Sequence, residues 1–233
     1  DEVTDRSPAI DSQTPQDYFL LLKTNRTTSS GAPKDNFHFY EPTEDAEAWE
    51  AGISYDYGLS PIKPTLDGEP MYEEHPKCFN AKEQGYSEAA DIRRIMYWNV
   101  FAGGAGQTYG CHAVWQMYDL DKTPVNAPLK PWHQSLDLEV ANQVKHLKNL
   151  MLSRPYFSRI PYQGLISKIQ EEDDSFVAAS RDSNGTYAFI YFPDGKPTIL
   201  NLTSMSGETF EVTWFDPRTG VKIPDSSSIS KSE

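Results

Sequence analysis

The chain has 233 residues, enough for one large or two modest folded units with a sizeable core. A formal net charge of −13 weighs against nucleic acid or an anionic membrane surface as partner, and leaves neutral ligands such as sugars open. Its 38% apolar and 12% aromatic residues mark a folded chain, yet no run of about 18 apolar residues is long enough to cross a membrane as a helix. The opening DEVTDRSPAIDSQTPQD lacks the basic-then-apolar layout of a signal peptide.

In chain order, DYFLLLK (17–23) and NFHFYEP (36–42) read as strands, and DAEAWEAGISYDYGL (45–59) as a helix followed by a loop. IKPTLDGEP reads as a strand whose carboxyl end carries Glu69. SEAADIRRIMYWNVFAGG (87–104) is a helix, with Ser87 as its cap and Ile92, Ile95, Met96, Asn99 and Val100 on one side. Gly103–Gly104 stop it. QTYGCHAVWQMY (107–118) reads as the next strand, and Asp137 opens a second long helix along Val140, Val144, Leu147 and Met151. Strands alternating with helices predict an α/β unit with parallel strands over residues 1–154.

Near SRPYFSRIP the period changes to two. Tyr187, Phe189 and Tyr191 share one face, then Phe210, Val212 and Trp214, with turns at PDGK and DPRTG. This predicts a small antiparallel β-sandwich over 155–223 and a disordered Pro/Ser-rich tail over 224–233.

Ligands of parallel α/β folds meet the carboxyl ends of the strands. Glu69 falls there, as does a cluster of Tyr109, His112, Trp115 and Gln116, where rings suit an apolar sugar face and polar groups suit its hydroxyls. A carboxylate so placed can attack an anomeric carbon or stabilise the charge that develops on it. Each residue also has a structural reading: a capping Glu, core aromatics, a hydrogen-bonded core histidine. His75 and Cys78 lack a third and fourth ligand for zinc, and GGAG at 103–106 ends a helix instead of opening one, so no metal or cofactor is expected. Cys78 and Cys111 read as two unrelated thiols rather than a disulfide. Asn25, Asn184 and Asn201 each open an N-x-S/T triplet.

The runs KPTLDGEPMYE, DIRRIMYWNVFAGGAGQTYGCHAVWQMY and RPYFSRIPYQGLI resemble the apiosidase-like glycoside hydrolases. ASRDSNGTYAFIYFPDGKPTILNL and WFDPRTG resemble the small collagen-binding-type domain that follows them, and the likeness runs over about residues 55–222. It implies a partial (β/α)8 TIM-type barrel, a retaining mechanism, a plant cell-wall (pectic) carbohydrate substrate, and a secreted or extracellular protein. It further implies Glu69, in the G-E-P-x-Y-E motif, as nucleophile. Substrate-binding roles then fall to Tyr72, Glu73, Arg93, Tyr109, His112, Trp115 and Gln116, with Glu73 orienting the sugar or holding Arg93. A complete barrel takes about 250 residues, so the chain reads as the carboxyl-terminal part of such an enzyme, lacking the acid/base on the fourth strand. Glu41, ending NFHFYEP, is the one substitute within the chain. The competing expectation is a non-catalytic carbohydrate-binding or cell-surface interaction protein; a truncated product without function is a third.

Overall fold

The computed structural model describes the backbone of residues 18–24 and the whole of residues 53–167 and 175–231. Its elements are β1 (Tyr18–Thr24), α1 (Ile53–Gly58), β2 (Leu66–Asp67), α2 (Ala81–Gln84), α3 (Ala89–Phe101), β3 (Gly106–Gln107), α4 (His112–Trp115) and α5 (Glu139–Leu152). Strands β4 (Arg159–Pro161), β5 (Ala178–Asp182), β6 (Tyr187–Phe192), β7 (Thr209–Phe215) and β8 (Lys222–Ser230) follow. The predicted strand at 36–42, with Glu41, and residues 45–52 of the first predicted helix lie outside the described residues.

Helix α3 forms where its apolar stripe predicts, burying Ile92, Met96 and Val100 together with Tyr97, Trp98 and Phe101. The Asp91 carboxylate accepts the Glu88 N–H at 2.9 Å, tying down the first turn. Ser87, expected as the cap, instead donates its hydroxyl to the Tyr72 and His75 carbonyls. Gly103 ends the helix at φ 110°, where a Cβ would lie 2.4 Å from the Tyr57 ring; only glycine fits. Helix α5 buries Val140, Leu147, Leu150 and Met151.

α3 connects β2 to β3, which pair in parallel with Leu66 opposite Gly106 and Asp67 opposite Gln107. An isolated parallel bridge, Glu73 to Cys111, continues the pairing. This is the βαβ unit that the alternation predicts, but its strands are two residues long. The expected strand over 107–118 stops at Gln107, and His112–Trp115 turns into α4. The residues from Thr108 onward serve turn and helix bonds, such as the Trp115 N–H to the Cys111 carbonyl at 2.9 Å.

The remaining strands form one antiparallel sheet in the order β4-β5-β6-β1-β7-β8. β1 is the predicted strand DYFLLLK, and it lies inside this sheet, pairing Leu20 with Ile190 on one side and with Trp214 on the other. A strand from the amino-terminal region therefore completes the carboxyl-terminal sheet. The predicted tail is a second correction: residues through Ser230 form edge strand β8, paired with β7 through Phe215–Lys222 and Thr209–Ser230. Ser-rich sequence is compatible with an edge strand, whose outer face meets water.

A third correction concerns the sandwich. The described strands make a single six-stranded sheet, not two packed sheets. One face carries Ala178, Tyr187, Phe189, Tyr191 and Phe215 against α3 and α5 in a continuous apolar cluster. Tyr97 stacks on Tyr191 with ring centroids 4.8 Å apart, and the Trp98 indole N–H donates to the Phe176 carbonyl at 3.0 Å. The other face carries Ala188, Ile190, Phe192, Phe210 and Val212, covered by Leu165, Ile166, Leu202 and Met205 from connecting segments. Segments with apolar residues close this face where a second sheet was expected. The period-two pattern at Tyr187, Phe189 and Tyr191 holds as read. The units expected on either side of residue 155 share one core, because α3 and α5 hide their stripes on the sheet.

Candidate functional site

Glu69 leaves the end of β2 on an exposed turn, followed by buried Pro70. Two groups fix it. Its N–H donates to Asp67 Oδ1 at 3.1 Å, and Glu69 Oε1 accepts the Tyr72 hydroxyl at 3.2 Å. Burial and the neighbouring Glu69 carboxylate push the Tyr72 phenol upward, so it stays a donor.

Asp67 is held in turn. Its Oδ2 accepts Asn99 Nδ2–H at 3.0 Å, and the same amide nitrogen donates to Gln107 Oε1 at 3.0 Å. Thr108 Oγ1 donates to the Asp67 carbonyl at 2.9 Å. Burial raises the Asp67 carboxyl above its ordinary range, against the pull of the Glu69 N–H and Asn99, and the Glu69 charge adds to the rise. Asn99 sits in the last turn of α3, on its buried face, and spans β2 and β3.

The aromatic wall beside Glu69 is Tyr72 and Trp115. Their ring centroids are 6.5 Å apart, and Trp115 is 56% exposed. The Tyr72 ring lies over Gly110, where a Cβ would fall 2.1 Å from it. His112 stacks under Trp115 at 11°, 6.3 Å between centroids, and meets His75 edge-on at 4.5 Å.

The other expected site residues serve elsewhere. Buried His112 places Nε2 3.0 Å from the carbonyls of both Val125 and Asn126 and 3.1 Å from Gln116 Nε2. Gln116 Nε2 donates to the Val125 carbonyl, and Gln116 Oε1 accepts the Val125 N–H, both at 2.9 Å. The pair clamps the 125–126 loop beneath Trp115.

Glu73 is buried, 4% exposed. It accepts the Tyr109 hydroxyl at 2.7 Å and faces the Val140 N–H at 3.3–3.4 Å, at the positive end of α5. Burial raises its carboxyl, with Tyr109 and the Val140 N–H opposing. Burial, then the hydrogen bond to Glu73, pushes the Tyr109 phenol far up. Arg93 does not meet Glu73. Its Nη1 donates to Glu139 Oε1 and Gln143 Oε1, both at 2.9 Å, joining α3 to α5. Cys78 is exposed and Cys111 buried, each a free thiol. Among the described residues no group of three metal-ligating side chains forms.

The structure thus brings together Glu69, Tyr72 and Trp115 with Asp67, which its place just before Glu69 in the sequence leads one to expect to shape the approach. It adds Asn99 and Gln107, which sequence reasoning left out of the site. Asn99 carried a signal. A polar residue on an otherwise apolar helix stripe needs a buried partner.

The family described as "Apiosidase-like, catalytic domain" matches residues 11–158, and "Putative collagen-binding domain of a collagenase" matches residues 160–233. A glycoside hydrolase family 5 crystal structure from Bacteroides vulgatus is 30% identical with a TM-score of 0.69, covering 79% of this chain and 38% of its own. A second solved structure, a glycoside hydrolase, is 28% identical with a TM-score of 0.72 over 89% of this chain and 46% of its own. The chain spans less than half the length of either. No curated protein matches it. The chain has a glycoside hydrolase-like fold, and with more than half of it matched over 11–158, it belongs to the apiosidase-like family.

Proposed function

We propose that the protein takes part in the hydrolysis of plant cell-wall, pectic carbohydrate by a retaining mechanism, with Glu69 as the nucleophile. One observation carries this reading. Glu69 presents a solvent-facing carboxylate at the end of a parallel strand, with its amide fixed by Asp67 and an exposed indole, Trp115, across Tyr72. Trp115 and Tyr72 would receive the apolar face of a sugar ring and bring its anomeric carbon to Glu69. The carboxylate oxygen attacks that carbon while the leaving group departs with its bonding pair; water then releases the sugar. The departing oxygen needs a second carboxyl about 5–5.5 Å from Glu69. Glu73, Tyr109, Arg93, His112 and Gln116 support this surface instead of lining it. Pectic polymers lie outside cells, so the same reading makes the protein extracellular.

A second reading, a non-catalytic carbohydrate-binding surface, rests on the same exposed indole. Incubation with an activated 2-fluoro-pentoside followed by peptide mass spectrometry separates the two. Covalent sugar on the Glu69 peptide supports the glycosidase. Saturable quenching of Trp fluorescence by pectic oligosaccharide, with neither label nor turnover, rejects it for the binding protein.

A further inference from the structure

We infer that Asn99, acting through Asp67, is the positioning residue for Glu69: the relay Gln107–Asn99–Asp67 fixes the backbone from which the Glu69 carboxylate projects. The inference rests on the nucleophile reading above for its function, but on geometry for its existence.

The two oxygens of Asp67 are divided between two tasks. Oδ1 holds the Glu69 N–H at 3.1 Å, and Oδ2 takes one hydrogen of the Asn99 amide at 3.0 Å. The other amide hydrogen of Asn99 goes to Gln107 Oε1 at 3.0 Å. Asp67 and Gln107 are opposite one another in the β2–β3 register, so Asn99 bridges the pair from the helix that crosses over them. Asn99 is 5% exposed. Desolvating an amide there is costly without partners, and both of its donors have them.

The geometry gives each member a directional duty. A carboxylate free to rotate would hold the Glu69 amide loosely; Asn99 locks its plane. Among the described residues Glu69's own carboxylate is held by the Tyr72 hydroxyl alone, so its placement depends chiefly on its backbone. Displacement of a reacting group by about 1 Å costs on the order of a hundredfold in rate. The titratable groups facing Asp67 are Glu69 and Tyr72, both carried by the segment that follows β2.

The test uses 15N–1H spectra of the full chain, following the Glu69 amide as the acidic range is titrated. Its shift should follow protonation of Asp67. The midpoint should rise in Asn99→Leu, which removes a hydrogen bond to the carboxylate, and fall in Glu69→Gln, which removes a neighbouring charge. In the turnover assay Asn99→Leu should lower kcat by roughly tenfold or more with KM held within about twofold. A Glu69 amide that ignores Asp67, or a kcat unchanged in Asn99→Leu, overturns the inference. Should that variant not fold, Asp67→Asn replaces it. It keeps an oxygen for the Glu69 N–H but turns a donor toward Asn99, so the amide titration should vanish and kcat should fall. Wild-type kcat there overturns the inference too. Full turnover in Glu69→Gln would instead remove the nucleophile reading, and the amide titration would still decide whether Asn99 and Asp67 hold this backbone.

Discussion

Glu69 and Glu73 are one helical turn apart in sequence and belong to opposite kinds of environment. Glu69 stands on an exposed turn with one hydroxyl on its carboxylate and its backbone pinned from behind. Glu73 sits in a socket closed by Tyr109 and the first turn of α5, with little water left to solvate it. The lesson is that a carboxylate in a run such as GEPMYEE declares its work through its partners. One is left open to solvent, and the other is consumed in holding two segments 67 residues apart.

The largest expected effect breaks that contrast at its functional end. On the proposed reading Glu69→Gln should lower turnover by roughly 10³-fold, with a Tm unchanged from the parent, because an exposed carboxylate with one hydroxyl partner contributes little to folding. A Tm loss comparable to a core substitution would place Glu69 among structural carboxylates instead.

Next comes the shared core. Phe189 is fully buried between α3 and the sheet. Phe189→Ala should cost about 3–5 kcal/mol, and helix and sheet signals should melt in one transition. Two transitions would show that the amino- and carboxyl-terminal parts fold separately, against the continuous cluster.

Glu73→Ala strands the Tyr109 hydroxyl and the Val140 N–H, and should destabilise the protein by about 1–3 kcal/mol in urea titration. An unaltered midpoint would mean that water takes over both groups. At the aromatic wall, Trp115→Ala should weaken oligosaccharide binding by about tenfold while leaving Tm in place. Equal affinity, measured by calorimetry, would send the ligand elsewhere.

The smallest effect is in pH dependence, and the two buried acids have opposite signs. Glu73 is raised above 4.5 in the folded state. The folded protein therefore holds this proton longer, and stability falls as pH climbs from 4.5 through the folded value. Burial works against Asp91 too, but the Glu88 N–H, Lys77 and Arg94 outweigh it and lower the carboxyl below 3.8. Its contribution is present above 3.8 and is lost as pH falls through the folded value. Urea midpoints of Glu73→Gln and Asp91→Asn across the acidic range should each flatten one slope; parallel curves would refute the assignment.

Local pattern carried most elements. The stripe of α3, the alternation of Tyr187, Phe189 and Tyr191, and the strand at DYFLLLK are all periodic signals that neighbours along the chain set. The resemblance around GEPMYEE also led to the right family. What periodicity missed was pairing. β1 lies between β6 and β7 because those two strands each leave an edge, a fact that no window of residues contains. The tail PDSSSIS became β8 because β7 offered it a partner.

The site divides in the same way. Side-chain type along the chain singled out Glu69, Tyr72 and Trp115, since a carboxylate before proline and rings near it are visible in a line of text. By itself the sequence determined where helices and strands can form, which faces are apolar, and which residues could do carbohydrate chemistry. Only the tertiary structure decided that Arg93 answers to Glu139, that His112 and Gln116 grip a loop, and that Asn99 reaches Asp67. The physical reason is range. Propensity and periodicity act over a few bonds, whereas a buried polar group must find its partner in space, and that partner is 32 residues away for Asn99 and 46 for Arg93.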